Sequence, residues 1–268
     1  MLSSPWIAAL IAIFSWWFFT GIILLIVRRK DVAGATAHGA SVVWGVPLLA
    51  LGIFGAVISA ASLSVANIYL AFFSVLLIWG WIELAFLSGV ITGPLRDSCP
   101  KSLRGWARFR RAWQTVSHHE ALLLSGLVLM AVIALDAANP LGFWAYFILF
   151  AARISAKLNL FFGVPRINLE FIPQPLLYLT SYFKQGPVTL AFGLGLTGLS
   201  LVTAALGIAL FTASTVEAQI GHALLFALCA LATLEHWLMV IPLPDAKLWR
   251  WMLPTLSTNT KTGQSHEL

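Results

Sequence analysis

Arg153 and Lys157 interrupt the oily run FILFAARISAKLNLFFGVP, residues 147–165. Four residues apart on a helix, they share one face, about 40° apart around the axis. Glu170 is the one acidic residue near them in the sequence. Other ionisable side chains stand inside apolar runs elsewhere: Glu83 in WGWIELAFLSG, His119 and Glu120 in TVSHHEALLLSG, Glu235 and His236 in ATLEHWLMV. Carboxylates with imidazoles can ligate iron, manganese or zinc. Paired cations can clamp the carboxylates of a substrate, and a lone histidine can ligate the metal of a pigment or haem. The same residues can also do no chemistry and simply neutralise one another.

The elements that must position these groups are membrane spans. Of the 268 residues, 60% are hydrophobic and only 10% charged, with mean hydropathy +0.90. A soluble domain carries about 25% charge. Twelve Trp and eighteen Phe suit interfacial belts and lipid-facing surfaces. Seven apolar stretches are long enough to cross a hydrocarbon core of roughly 30 Å, which takes about 20 residues each. They run at 5–27, 40–61, 67–91, 115–136, 140–162, 188–212 and 218–241. The first lacks a basic leader and is too long for a signal peptide's apolar region, so it reads as an uncleaved span. The expected fold is therefore all-α, a seven-helix bundle forming one transmembrane domain over residues 1–254. Residues 255–268 read as a polar, disordered tail.

Fourteen of the sixteen basic residues fall between spans one and two, three and four, five and six, or in the tail. The connections at the other end carry none. By the positive-inside rule the N-terminus is expected outside and the C-terminus in the cytoplasm. The net charge of +6 is thus a topology signal, not a sign of nucleic acid as partner. The two basic residues left over are Arg153 and Lys157.

Depth then groups the ionisable residues. Glu83 falls in the inner half of span three, and His118, His119 and Glu120 in the first turns of span four. Arg153 and Lys157 lie about two turns from the end of span five. Glu235 and His236 come one to two turns before Pro242. Four helices thus deliver polar groups to one layer, and the expectation is that Glu83, Glu120 and Glu235 answer the two cations across the bundle. Asp136, Glu217 and His222 stay near helix ends on the opposite half.

Three readings of this layer stay open. It is a buried ion-pair network fixing helix packing, or a ligand site, or a carboxylate–histidine metal centre. The third meets a spacing problem. Bundle di-iron sites use Glu-x-x-His on one helix face, whereas Glu235–His236 and His119–Glu120 are adjacent and splay by about 100°. Two neighbouring cations also disfavour a metal ion. His222, Cys229 and His236 form one stripe, but the two histidines are about 21 Å apart along the axis. Cys99 and Cys229 show neither metal-ligand nor disulfide spacing. There is no P-loop, dinucleotide fingerprint, nucleophile elbow or HExxH. The glycines of GLGLTGLSLVTAALG, 193–207, read as close-packing residues of an uncharged sixth span.

Two connections stand out. PLRDSCPKSLRGWARFRRAWQ, 94–114, is strongly basic with interleaved Trp106, Phe109 and Trp113, and reads as an anchor or a docking face at an anionic membrane surface. GVPRINLEFIPQPLLYLTSYFKQGP, 163–187, is greasy for a loop and is expected on the membrane or over the mouth of the bundle.

The HHE of span four, ARISAKLNLFFGVP closing span five, YLTSYF after it and LEHWLMVIPLPDAKLWRW closing span seven together resemble the PuhE family, also called photosynthetic complex assembly protein 2, of anoxygenic phototrophic bacteria. The likeness runs from span one to about residue 253. It implies a multi-pass protein of the bacterial inner (intracytoplasmic) membrane that helps build the reaction centre and core antenna or balances bacteriochlorophyll supply. Its implied partners are the lipid bilayer and reaction-centre or core-antenna subunits or pigment-synthesis enzymes. Bacteriochlorophyll or a precursor is the implied ligand. The resemblance transfers no catalytic residue. An assembly factor is expected rather than an enzyme; the alternative is a metal-dependent membrane enzyme using Glu83, His119, Glu120, Glu235 and His236 on a tetrapyrrole or other lipid-soluble precursor.

Overall fold

The computed structural model describes residues 2–242, so the expected tail and its basic residues Lys247, Arg250 and Lys261 lie outside the described residues. Among the described residues, seven helices long and apolar enough to cross a membrane follow one another: α1 (Pro5–Ala33), α2 (Ala35–Ala60), α3 (Val65–Leu87), α4 (Gly105–Ala134), α5 (Leu141–Phe162), α6 (Leu190–Thr212) and α7 (Val216–Leu238). No strand occurs among the described residues beyond one bridge between Val164 and Gln185.

Local chemistry sets the helix ends. Pro5 occupies the first turn of α1, where its missing N–H is no loss. Ser64, Thr189 and Thr215 cap α3, α6 and α7 by accepting from the N–H three residues on. The third span ends at Leu87, short of the expected residue 91. Gly89 takes a left-handed φ of 70°, its N–H bonds to Phe86 O, and the Val90 N–H reaches back to Ala85 O. These two bonds form a Schellman cap, which stops the helix one turn past Glu83.

Two helices outrun their apolar stretches. α1 continues through Arg28, Arg29 and Lys30. α4 begins ten residues before the expected 115, so half of the basic connection is helix. What remains of that connection folds back on α4: the His119 N–H donates to Thr92 O at 2.8 Å, and the Leu95 N–H to Gln114 O at 3.3 Å. The approach requires glycine at 93, where a Cβ would come within 2.1 Å of Gln114 O.

α3 is the most buried span, with 61% of its apolar window covered, and α7 follows with 50%. Their faces, with those of α4 and α5, form the core around Phe72, Leu123, Tyr146 and Leu224. α6 is only 11% buried by the same measure and packs mainly along α7. Its glycines divide: Gly195 and Gly207 lie against Ser155 and Phe226, as close packing requires, whereas Gly193 and Gly198 face open space.

Candidate functional site: a charged cavity

α5 carries both cations toward different neighbours. Arg153 Nη2 donates to Glu83 Oε2 of α3 at 2.6 Å. One turn further, Lys157 Nζ donates to Glu120 Oε1 of α4. The pairs share Phe86, whose ring centre is 5.8 Å from Arg153 Cζ and 5.3 Å from Lys157 Nζ. The imidazole of His119 stacks on Phe86 at 4.1 Å and 26°, with Nε2 3.8 Å from Glu83 Oε1. One aromatic ring thus lies beside two ion pairs from three helices, a desolvated setting in which each charge needs its partner.

Two of the three expected carboxylates meet the cations directly. Glu235 makes neither a hydrogen bond nor an ion pair within 4.0 Å among the described residues. Adjacency explains this, since residues 235 and 236 point about 100° apart. His236 turns into the core, where Nδ1 meets Ala232 O at 2.8 Å and Nε2 meets Ser155 Oγ at 2.9 Å. Glu235 turns instead to a cavity.

That cavity measures ≈ 760 Å³, within the roughly 300–1,000 Å³ typical of sites that bury small ligands. Its walls are mostly apolar and come from α1, α3, α4, α5 and α7. Arg153, Lys157, Glu120 and Glu235 face it. The connection 163–189 covers it, contributing Phe171, Leu176 and Tyr182 among others from two 3₁₀ segments, Leu169–Phe171 and Gln174–Tyr182. The greasy loop therefore lies over a mouth of the bundle. Hydrogen bonds to its surroundings hold it: Arg28 donates to Glu170 O and Arg108 to Tyr182 O at 2.6 Å and to Phe161 O of α5 at 3.3 Å, while the loop's own Tyr182 donates to Asp97 O at 3.0 Å. Burial raises the Tyr182 phenol above its ordinary value, keeping it a donor.

The metal centre is not assembled. Among the described residues no group of three or more His, Cys, Asp or Glu side chains converges as a metal-ligand set. Of the five residues weighed for it, Glu83 and Glu120 are committed to cations and His236 has both nitrogens engaged. His119 is sealed from the cavity at 0% exposure, and Glu235 stands apart from the rest. Neither His119 nor His236 lines the cavity, so neither is placed to ligate the metal of a pigment held there. His118 is exposed on α4.

Sequence reasoning passed over Phe86, the aromatic link of the cluster, because nothing marks one phenylalanine among eighteen. It also passed over Ser155, although a polar residue two positions after Arg153 on an oily helix is a readable signal. Asn159 is fully buried with its amide atoms lacking hydrogen-bond partners among the described residues. Arg28, read as a topology residue, instead spans to the loop over the cavity while lying 3.7 Å from Asp31. His38 contacts the same Asp31 at 3.2 Å.

Seven apolar helices enclosing charged groups define a multi-pass helical membrane protein. More narrowly, the chain belongs to the family described as protein of unknown function, DUF3623, the match spanning residues 2–260. It is 47% identical over 261 residues to a Rhodobacter capsulatus protein described as an uncharacterized 30.4 kDa protein in the puhA 5′ region. That alignment covers 97% of this chain and 95% of the relative. No solved structure matches.

Proposed function

We propose that this protein is a non-enzymatic factor of the PuhE type. It would act in the bacterial inner (intracytoplasmic) membrane, assembling the reaction centre and core antenna or balancing bacteriochlorophyll supply. The relative's position in a photosynthesis gene cluster supports a photosynthetic role. The observation that carries the handling role is the cavity. It is large, mostly apolar and carries a few charged groups on its walls, the arrangement that suits a lipid-soluble pigment or precursor with a few oriented polar groups. In this reading the ion pairs Arg153–Glu83 and Lys157–Glu120 hold α3, α4 and α5 in register around the ligand. No histidine is needed on its metal, since shape and wall chemistry retain it. The basic start of α4 and the loop over the cavity would meet reaction-centre or antenna subunits or pigment-synthesis enzymes from the cytoplasmic side.

An absorption spectrum from the visible to the near infrared tests this on protein gently extracted from phototrophic membranes. Stoichiometric bacteriochlorophyll or precursor bands are the expected result. A colourless protein that co-purifies with antenna subunits would reduce the role to assembly alone.

A further inference from the structure

The pigment reading leaves open which part of a ligand meets the charges in the cavity wall, and the burial of those charges bears on it. Arg153, Lys157 and Arg166 line the cavity against two carboxylates, Glu120 and Glu235. Arg166 comes from the covering loop and donates to Ile241 O at 2.5 Å. Glu83, the partner of Arg153, does not line the cavity. In both ion pairs the cation is the more open member. Side-chain exposure is 31% for Arg153 against 10% for Glu83, and 21% for Lys157 against 6% for Glu120. From these two pairs the wall presents N–H donors more than carboxylate oxygens.

Those donors are mostly unspent. An arginine has five N–H groups and a lysine ammonium three. Arg153 and Lys157 each give one hydrogen bond among the described residues, to Glu83 Oε2 and Glu120 Oε1. Glu235, the other carboxylate on the wall, is drawn electrostatically to Arg153. Lys157 therefore keeps N–H groups for a second acceptor. A carboxylate bound there breaks neither pair, so no buried glutamate is stranded. It accepts charge-assisted hydrogen bonds, and its single negative charge matches the lining, which holds one more cation than carboxylates. The rest of the wall is mostly apolar, with Phe109, Phe161 and Phe183 among its residues, which suits the body of a flat ring.

We propose that the cavity takes an amphiphile with one ionised carboxylate, a tetrapyrrole not yet esterified, and that Lys157 anchors the acid with Arg153 beside it. The choice of ring rests on the proposed pigment role, the choice of acid on the wall alone.

Pyropheophorbide a, a chlorin with one carboxyl group, and its methyl ester differ only at the acid. Both are titrated by fluorescence into the full-length protein in nanodiscs of zwitterionic lipid, with protein-free nanodiscs subtracted. The acid is expected to bind at least about tenfold more tightly, the scale of one charged hydrogen bond. Lys157→Arg is expected to keep that preference. Glu120→Gln with Lys157→Gln removes the pair without stranding a charge, and is expected to reduce the preference to about twofold or less. Glu120→Leu with Lys157→Leu is read the same way should that variant fail to accumulate. An ester that binds the unaltered protein as well as the acid does overturns the anchor and leaves the pigment role standing. A preference that survives both double variants, or a loss of acid and ester together, overturns the part given to Lys157. cis-Parinaric acid and its methyl ester separate the remaining cases. If neither chlorin binds but the fatty acid is preferred to its ester, the acid anchor stands and the ring assignment falls. If neither pair binds, both fall.

Discussion

Lys157 and Glu120 illustrate how much a single membrane charge depends on its partner. The side chains retain only 21% and 6% of their exposure, so removing one leaves the other charged in an apolar wall. Glu120→Leu alone is expected to cost about 3–5 kcal/mol, and Glu120→Leu with Lys157→Leu to recover most of it, because two well-packed apolar groups replace an ion pair at little loss. Thermal unfolding in detergent of both singles and the double reads the coupling. Additive losses would mean that the two groups do not rely on each other. That a charged layer exists was legible in the sequence, because a charge in an apolar run marks its own depth. Which glutamate meets which cation was not, since that depends on how each helix is rotated about its axis, and rotation is set by packing across the bundle. Glu235 shows this limit: it shares the cavity with the cations, yet comes within ion-pair distance of neither.

At the scale of elements, the seven spans were legible because roughly 20 apolar residues in succession leave no alternative in lipid. The ends were legible only where hydropathy and helicity stop together. In α4 they separate. Arg108, Arg110 and Arg111 end the apolar run but not the helix, which continues back to Gly105. This extension matters because it carries Arg108 to the loop over the cavity, where the guanidinium donates to two loop-side carbonyls and lies 4.2 Å from the centre of the Phe161 ring. A charged donor contributes roughly 1.5–3 kcal/mol per hydrogen bond. Arg108→Ala is therefore expected to speed amide exchange over residues 174–186 by about tenfold or more, while the cores of α3 and α7 keep their protection. Hydrogen exchange read by mass spectrometry checks this. Uniform acceleration across the spans would mean that Arg108 supports the bundle and not the loop.

Across the whole molecule, charge and fold agree on an axis. Every described basic residue except Arg153 and Lys157 lies at the end that bears the α1–α2, α3–α4 and α5–α6 connections, including the extended start of α4. The three short connections at the opposite end have none. Translocating that many Lys and Arg residues is disfavoured, so the basic end is expected in the cytoplasm, and the cavity beneath its loop would open toward the compartment where pigment is made and subunits are inserted. The two cysteines permit a direct check. Cys99 lies half-buried in the α3–α4 connection, its N–H bonded to Ser181 Oγ at 2.8 Å, whereas Cys229 is buried inside α7. A membrane-impermeant maleimide is expected to label Cys99 in inside-out vesicles and not in intact spheroplasts, with Cys229 silent in both until the protein is unfolded. Labelling from the spheroplast side would invert the axis. The cavity would then face the periplasm, and a role in receiving pigment from cytoplasmic enzymes would lose its geometric basis even if the pigment itself were found bound.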